Sequence, residues 1–450
     1  MNIHFISIGG SAMHNLALAL QAKGDTITGS DDAIFEPSKS RLAAKGLLPE
    51  AMGWFPEKIH SDLDAIILGM HAKADNPELI KAQDLGLTIY SYPEFLYEHA
   101  KNKTRVVIGG SHGKTTITSM ILHVLKYHNV EVDFMVGAQL DGFDRMVHLT
   151  EENEVIVLEG DEYLSSPIDL RPKFHLYKAN IALLSGIAWD HINVFPTFEN
   201  YVDQFSIFVD TMVKGGMMVY NEEDEVVKKV VEQTSNQIKK YPYKTPEYTI
   251  ENGATILDTA EGEIPLEIFG EHNLQNMEGA RAICFHLGVG EEAFYEAIAD
   301  FKGASKRLEK IAENDQTVVY KDFAHSPSKV GATTKAVRKQ YPNRKLLACL
   351  ELHTYSSLNE DFLKEYEATL DGADEAVVFY SPHAVKIKRL KEVTEEQIAN
   401  AFKRDDLIIY TEPKAFKKYL FEQNLKDTAL LLMSSGNYGG LDFEELKSLL

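Results

Sequence analysis

The stretch that most constrains this chain is VVIGGSHGKTTI, residues 106–117: an apolar run, then closely spaced glycines, then Lys-Thr-Thr. The apolar run reads as a buried strand and residues 114–128 as a helix, so the glycines occupy a strand-to-helix turn. The first turn of a helix carries unpaired N–H groups and a partial positive charge, and both attract phosphate. Gly109, Gly110 and Gly113 let the backbone close around such a group, Lys114 reaches terminal phosphates, and the Thr115 hydroxyl suits Mg²⁺. We therefore expect Gly110, Ser111, His112, Gly113, Lys114, Thr115 and Thr116 to bind ATP. The loop is shorter than usual, because Ile108 stands where an earlier glycine would be. A turn that only caps a helix is the alternative, and Gly-Lys-Thr in this context argues against it.

An ATP loop needs a metal partner on a neighbouring strand. VIVLEGDE runs from apolar residues into Glu159, Asp161 and Glu162, and GIAWDHINVF ends a later strand with Asp190 and His191. Acids at the C-terminal ends of parallel strands face the crevice where ligands bind. Oxygen and imidazole ligands there suit Mg²⁺ held partly by water.

The chain has 450 residues, too many for one core. Strand-like and helix-like segments alternate along it, which predicts parallel sheets with helices on their faces. We read three α/β domains: residues 1–100, 101–302 and 303–450. The first has strands near 2–8, 26–32, 63–70 and 87–92, with helices at 11–24 and 76–86. Residues 221–265 read as a small strand-rich elaboration, and 271–288 as a helix. The third domain has strands near 317–323, 345–352, 375–380, 406–410 and 428–435. A net charge of −22 opposes nucleic-acid binding. No run of about 18 apolar residues predicts a membrane span. Cys284 and Cys349 have no zinc spacing and read as buried thiols, and with an N-terminus unlike a secretory leader they predict a cytoplasmic protein.

SIGGSAMHN, residues 7–15, also joins a strand to a helix. It lacks the three-glycine dinucleotide spacing, so a tight turn and a diphosphate site both remain open, with Asp31 at the end of the next strand as an acceptor for a sugar or base. HAKADNP (71–77) follows another strand end. Asn273 and Asn276 share a helix face. Lys306 and Arg307, and Asp322 and His325, flank a third-domain strand.

Together, and in this order, these segments resemble the Mur ligase family, the ATP-dependent amide-forming enzymes of bacterial cell-wall precursor synthesis. IGGSAM, GSD and ADNPE resemble the UDP-sugar domain of its muramate-specific branch. GSHGKTT resembles its shortened phosphate loop, and EGDEY and WDH resemble its metal-binding acid and histidine. GEHNLQN is similar to its adenine-side asparagine motif, and KRLE with DFAHSP to its third-domain arginine and aspartate. The resemblance implies a Rossmann-like N-terminal domain, a P-loop ATPase-like central domain and a Rossmann-like C-terminal domain. It implies ATP and Mg²⁺ as cofactors, UDP-N-acetylmuramate as acyl donor, and an amino acid or murein peptide as acceptor. The roles implied are catalysis by Lys114, Glu159, His191, Arg307 and Asp322, and Mg²⁺ ligation by Thr115, Glu159 and His191. Asn273, Asn276 and His325 are implied at the nucleotide, and Gly9, Gly10, Ser11, Ala12, Met13, Asp31 and His71 at the UDP-sugar.

EGDEY, FAHSP and MSSGNYGGL resemble the murein-recycling members more closely than the L-alanine-adding ones. The expected acceptor is thus L-Ala-γ-D-Glu-meso-diaminopimelate, with L-alanine as the alternative. ELHTYSSL (351–358) lacks the arginine expected in either, and Ser326 replaces a second histidine. A non-catalytic P-loop nucleotide-binding protein is the reading from another class. Intact Lys114, Glu159 and His191 argue against it.

Overall fold

The computed structural model describes residues 1–450 apart from Asp141, Gly142, Asp144, Asn252, Glu261, Ser305, Lys306, Arg389 and Glu392. Lys306 of the KRLE segment therefore lies outside the described residues. The chain divides into two compact units, one of residues 1–118, 125–187 and 202–242, the other of residues 119–124, 188–201 and 243–450.

The first unit holds two large sheets and a short hairpin. One has four parallel strands in the order Thr26–Ser30, Asn2–Ile6, Ala65–Leu68, Ile89–Ser91. Asn2–Ile6 is central and Phe5 and Ile6 are fully buried, as parallel strands covered on both faces require. The helix Tyr92–Ala100 starts in a capping box, with the Ser91 and Glu94 side chains each bonded to the other's backbone N–H. The other sheet places Thr104–Gly109 between Ile181–Leu184 and Val155–Glu159, all parallel. Its outer strands are Met217–Asn221 and Lys239–Tyr243 on one side, and Asp133–Met135 and Val147–His148 on the other.

The second unit contains a sheet ordered Glu309–Glu313, Thr317–Asp322, Thr428–Met433, Lys345–Leu352, Glu375–Tyr380, Ile408–Tyr410. Only its first pair is antiparallel. Alternate residues feed two separate cores. Val318, Leu346, Ala348 and Leu350 face one, and Val319, Leu347 and Cys349 face the other. This two-sided burial explains the near-continuous apolar runs in these strands. Cys349 and Cys284 are buried free thiols, as expected.

Two local expectations change. The zone 221–265 opens with a helix, Glu225–Gln233, capped by Asp224 and burying Val227, Val230 and Val231. The three-stranded antiparallel sheet, Tyr248–Glu251, Ala254–Thr259 and Gly262–Leu266, comes only after it. Turn residues on both sides obscured the three-and-four spacing of those valines. The hairpin Leu164–Ser166 with Asp169–Pro172 and the strand Glu309–Glu313 were also unread, because they are short or largely exposed and hold no buried apolar run. No helix among the described residues is long and apolar enough to cross a membrane.

Candidate active site

Strand register sets the glycine loop. Ile108 is paired with Glu159, and Gly109 with Leu184, so the loop leaves the sheet between two neighbouring strand ends. Backbone bonds clamp it there: Gly160 N–H donates to Ile108 O at 2.8 Å, and Ser111 N–H to Gly186 O at 2.9 Å. Gly110 has φ +134°, and a Cβ there would stand 2.1 Å from Ser185 Oγ. A side chain is excluded both by backbone conformation and by space. A Cβ on Gly186 would meet His112 Cε1 and Nε2 at 2.3 Å, so the edge of that ring lies against a glycine. Helical bonding begins with Ile117 N–H to Gly113 O, leaving the first turn of Lys114–Tyr127 at the loop.

The structure brings Lys114, Thr115 and Glu159 together. Thr115 Oγ1 donates to Glu159 Oε1 at 2.8 Å, and Gly137 N–H donates to Oε2 at 2.7 Å. Lys114 Nζ donates to Gly110 O at 2.7 Å and to Glu162 Oε2 at 2.5 Å. Burial works against the Lys114 charge, but Glu162, Asp161 and Glu159 outweigh it and raise its pKa. Asp161 is paired with Lys173 at 2.5 Å. Glu162 is the important partner that sequence reasoning passed over. The available signal was an acid three residues beyond Glu159, at the same strand end.

The first loop is built differently. Ser7 has φ +70°, and Ser7 and Ile8 N–H both donate to Ser30 O. Gly9 N–H donates to Asp31 Oδ2 at 2.7 Å, so Asp31 holds the loop itself. Asp31, expected as an acceptor for a sugar or base, is buried, and its Oδ2 is occupied by the loop. Burial, with Asp32 adding to it, raises the Asp31 pKa despite the Gly9 and Ala33 N–H groups. Ser11 and Ala12 are exposed and Met13 is buried. Behind the loop, His14 Nδ1 lies 2.9 Å from Gly10 O and 3.0 Å from Ser38 Oγ. Sequence reasoning missed His14, although its position four residues after Gly10 was visible. In ADNPE, Asn76 caps the helix Pro77–Asp84, and buried Glu78 accepts from Phe55 N–H and meets His4. These groups are structural, while His71 is exposed.

In the second unit, Asn273 and Asn276 are buried on the helix Glu271–His286, and Asn273 Nδ2 donates to Phe269 O at 2.9 Å. Both Asp322 oxygens are engaged, one by Leu308 N–H at 3.2 Å and the other by Thr333 Oγ1 at 2.6 Å. Arg307 lies over the Phe323 ring at 4.5 Å. His325 Nδ1 lies 2.8 Å from Phe323 O. Burial and Lys329 lower its pKa to about 4 against the pull of Asp190. His191 has φ +54°, and its carbonyl accepts from Val194 and Phe195 N–H. Trp189 closes the same turn by donating from Nε1 to Phe195 O at 3.0 Å, with its ring edge-on to Phe362.

The turn after strand Lys345–Leu352 turns most of its donors inward. Thr354 Oγ1 bonds Ser357 Oγ, Ser356 and Ser357 are buried, and Asn359 caps the next helical turn. His353 and Tyr355 remain outward.

Three family patterns match in sequence: Mur ligase family, catalytic domain, over residues 2–104; Mur ligase middle domain over 108–284; and Mur ligase, glutamate ligase domain, over 306–436. A UDP-N-acetylmuramate–L-alanine ligase of Caldicellulosiruptor bescii is 31% identical over 413 residues, 88% of this chain and 86% of that protein. The UDP-N-acetylmuramate-alanine ligase of Thermotoga maritima superposes with a TM-score of 0.71 at 20% identity, over 100% of this chain and 98% of that one. The murein peptide ligase of Psychrobacter arcticus gives 0.67 at 22% identity, over 100% and 98% of the two chains. With an ATP-type loop, three α/β domain patterns in order and a relative this similar along most of its length, the chain belongs to the Mur ligase family, the ATP-dependent amide ligases of peptidoglycan synthesis.

Proposed function

We propose that this ligase joins UDP-N-acetylmuramate to L-Ala-γ-D-Glu-meso-diaminopimelate in the cytoplasm, using ATP and Mg²⁺. The acceptor reading is carried by the murein-recycling resemblance of EGDEY, DFAHSP and MSSGNYGGL. The 353–359 turn contains no arginine or lysine, and its Thr354, Ser357 and Asn359 groups are spent within the turn, so it favours neither acceptor. L-Alanine is the second reading, favoured by the activity named for the Caldicellulosiruptor bescii relative.

In this proposal residues 1–100 bind the UDP-sugar, 101–302 bind ATP, and 303–450 contribute to the nucleotide and the acceptor. Backbone N–H groups at Ser11, Ala12 and Met13 hold the diphosphate at a helix start, with Gly9 and Gly10 forming the turn that lets it approach, Asp31 fixing Gly9 and exposed His71 offering a further contact. A carboxylate is a poor acyl donor. The lactyl carboxylate of the sugar therefore attacks the γ-phosphorus of ATP, ADP leaves, and an acyl phosphate forms. The acceptor amine then attacks the acyl carbon and phosphate leaves. Lys114 neutralises the phosphates by exchanging its Glu162 partner for them, and the loop N–H groups, with Ser111, His112 and Thr116 in the loop, cradle them. Asn273, Asn276 and His325 shape the nucleotide pocket. Arg307 serves the phosphates, and Asp322 fixes the segment that carries it.

The residues present fit Mg²⁺. Thr115 and Glu159 place hydroxyl and carboxylate oxygens together, and Gly137 leaves that carboxylate room, since a Cβ there would stand 2.9 Å from it. Thr115, Glu159 and His191 would hold the ion, whose charge would offset that of the transferring phosphoryl group.

The test is phosphate release with UDP-N-acetylmuramate, ATP, Mg²⁺ and each acceptor at matched concentrations. A higher kcat/KM for the tripeptide is expected, and a higher one for L-alanine overturns the acceptor.

A further inference from the structure

The proposed reaction leaves two protons on the acceptor nitrogen to be placed. A peptide α-amine is largely an ammonium at neutral pH, with an ordinary pKa of about 8, and the amine of a free amino acid is more basic still. It attacks only after losing a proton, and the amide nitrogen sheds another as it forms. A base near the acceptor is required.

The second unit carries a group of that kind at the C-terminal ends of two central parallel strands, where ligands bind in open α/β sheets. Glu351 ends Lys345–Leu352 and is 3% exposed. Its Oε2 accepts from Tyr438 N–H at 2.8 Å and from the Ser434 hydroxyl, both just beyond Thr428–Met433. Its Oε1 faces His353 Nδ1 at 3.6 Å. The His353 side chain is 43% exposed, so the ring is accessible from solvent. Gly436 makes the space, because a Cβ there would stand 2.8 Å from Glu351 Oε2 and 3.1 Å from the His353 ring. Beside them, Ser435 Oγ is buried with no hydrogen-bond partner among the described residues. Burial disfavours the Glu351 charge, but His353, Ser434 and Tyr438 N–H outweigh it and keep the carboxyl below the usual range. The outcome is an ionised carboxylate fixed behind an accessible imidazole.

We propose that His353 is the base that takes the acceptor amine's proton, and that Glu351 is the positioning residue that orients its ring. The acceptor ammonium gives one proton to His353, its nitrogen then bonds to the acyl carbon, the carbon–oxygen bond to phosphate breaks with its electron pair on phosphate, and the nitrogen's second proton leaves with that phosphate. This deepens the ligase reading and rests on it. It gives a role to a carboxylate and an imidazole in a turn whose Thr354, Ser357 and Asn359 groups are consumed within it.

The experiment uses the full chain with UDP-N-acetylmuramate, ATP and Mg²⁺. Amide formation with the tripeptide or L-alanine, whichever the wild type uses, is compared with trapping of the acyl phosphate by hydroxylamine, a nucleophile already unprotonated at neutral pH. His353→Ala should lower amide formation about 10²-fold while hydroxamate formation falls far less, and added imidazole should restore part of the amide rate. Glu351→Gln keeps the Tyr438 bond and should lower the amide rate by roughly tenfold, with the same selectivity. A parallel fall in amide and hydroxamate, or an unchanged amide rate in His353→Ala, overturns the proposal. Should the wild type give neither ADP nor hydroxamate, the ligase reading fails and takes the base with it.

Discussion

The two glycine turns of the first unit, residues 7–13 and 109–116, start from the same plan of strand, glycines and helix. They differ in charge. The first has no basic side chain, and the carboxylate behind it, Asp31, accepts from the backbone of Gly9. The second carries Lys114 among Glu159, Asp161 and Glu162. Holding a diphosphate needs only backbone N–H groups and a helix start. Transferring a phosphoryl group needs charge that meets the transition state, and a lysine waiting on a carboxylate supplies it.

The largest effect expected from this comparison is that of Lys114→Ala. Its kcat should fall by about 10²-fold or more, with UDP-sugar affinity and the melting curve unchanged. Near-normal turnover in an acceptor-saturated assay would erase the distinction between the loops. Alanine at the glycines comes next. Gly110→Ala combines a left-handed φ with a 2.1 Å contact to Ser185 Oγ, and should weaken ATP binding by roughly tenfold, since the conformation alone costs about 1–2 kcal/mol. In the first loop the sensitive position is Gly9, where a Cβ would stand 2.7 Å from Ile34 and 2.9 Å from Asp31. At Gly10 the nearest atom would be Met13 Cγ at 3.4 Å, an ordinary contact. Calorimetry should show Gly9→Ala losing UDP-N-acetylmuramate affinity and Gly10→Ala keeping it; the reverse order would mean that the loop closes differently around its ligand.

The contrast also shows what the sequence alone makes legible. The pairing of Thr115 with Glu159 could be foreseen, because a strand ending in an acid beside a Gly-Lys-Thr turn leaves few arrangements. The α/β alternation was readable because strands buried on both faces are apolar throughout. Other features depend on contacts distant in sequence. Nothing near Lys114 marks Glu162 as its partner, and nothing near Asp31 marks its bond to Gly9, which lies 22 residues earlier. Asn273 and Asp322 were readable as polar residues at suggestive spacings, but their bonds to Phe269, Leu308 and Thr333 arise only from tertiary packing. The 351–359 turn shows the same limit: its composition promises six donors, and the fold consumes most of them.

A smaller effect separates the metal requirement of the two loops. Thr115→Ala and Glu159→Gln should each raise the Mg²⁺ concentration for half-maximal rate several-fold, while UDP-sugar binding measured without ATP stays independent of Mg²⁺. Metal titrations that overlay the wild type in both variants would remove these residues from the metal.

The smallest expected effect is a difference in sign between two buried aspartates of this unit. Burial opposes the charge of Asp133, but His99, Lys103 and Thr150 outweigh it and lower the pKa from 3.8 to about 2. Its folded-state value lies below its unfolded one. The stability it contributes is therefore complete above the ordinary aspartate range and is lost as pH falls through about 2. Asp31 is shifted the other way, chiefly by burial, so its contribution is complete below the ordinary range and is lost as pH rises through its raised value. Melting temperatures of wild type, Asp133→Asn and Asp31→Asn across the acid range separate the two. The wild-type advantage over Asp133→Asn should shrink toward pH 2, whereas its advantage over Asp31→Asn should shrink as pH rises from there. The amide introduced by Asp31→Asn retains an oxygen for the Gly9 N–H, so the loop persists and only the titration disappears. If both differences run in the same direction with pH, the carboxylate behind the first loop is held by charge, as in the phosphate loop, and the contrast between a backbone-built site and a charge-built one fails at its base.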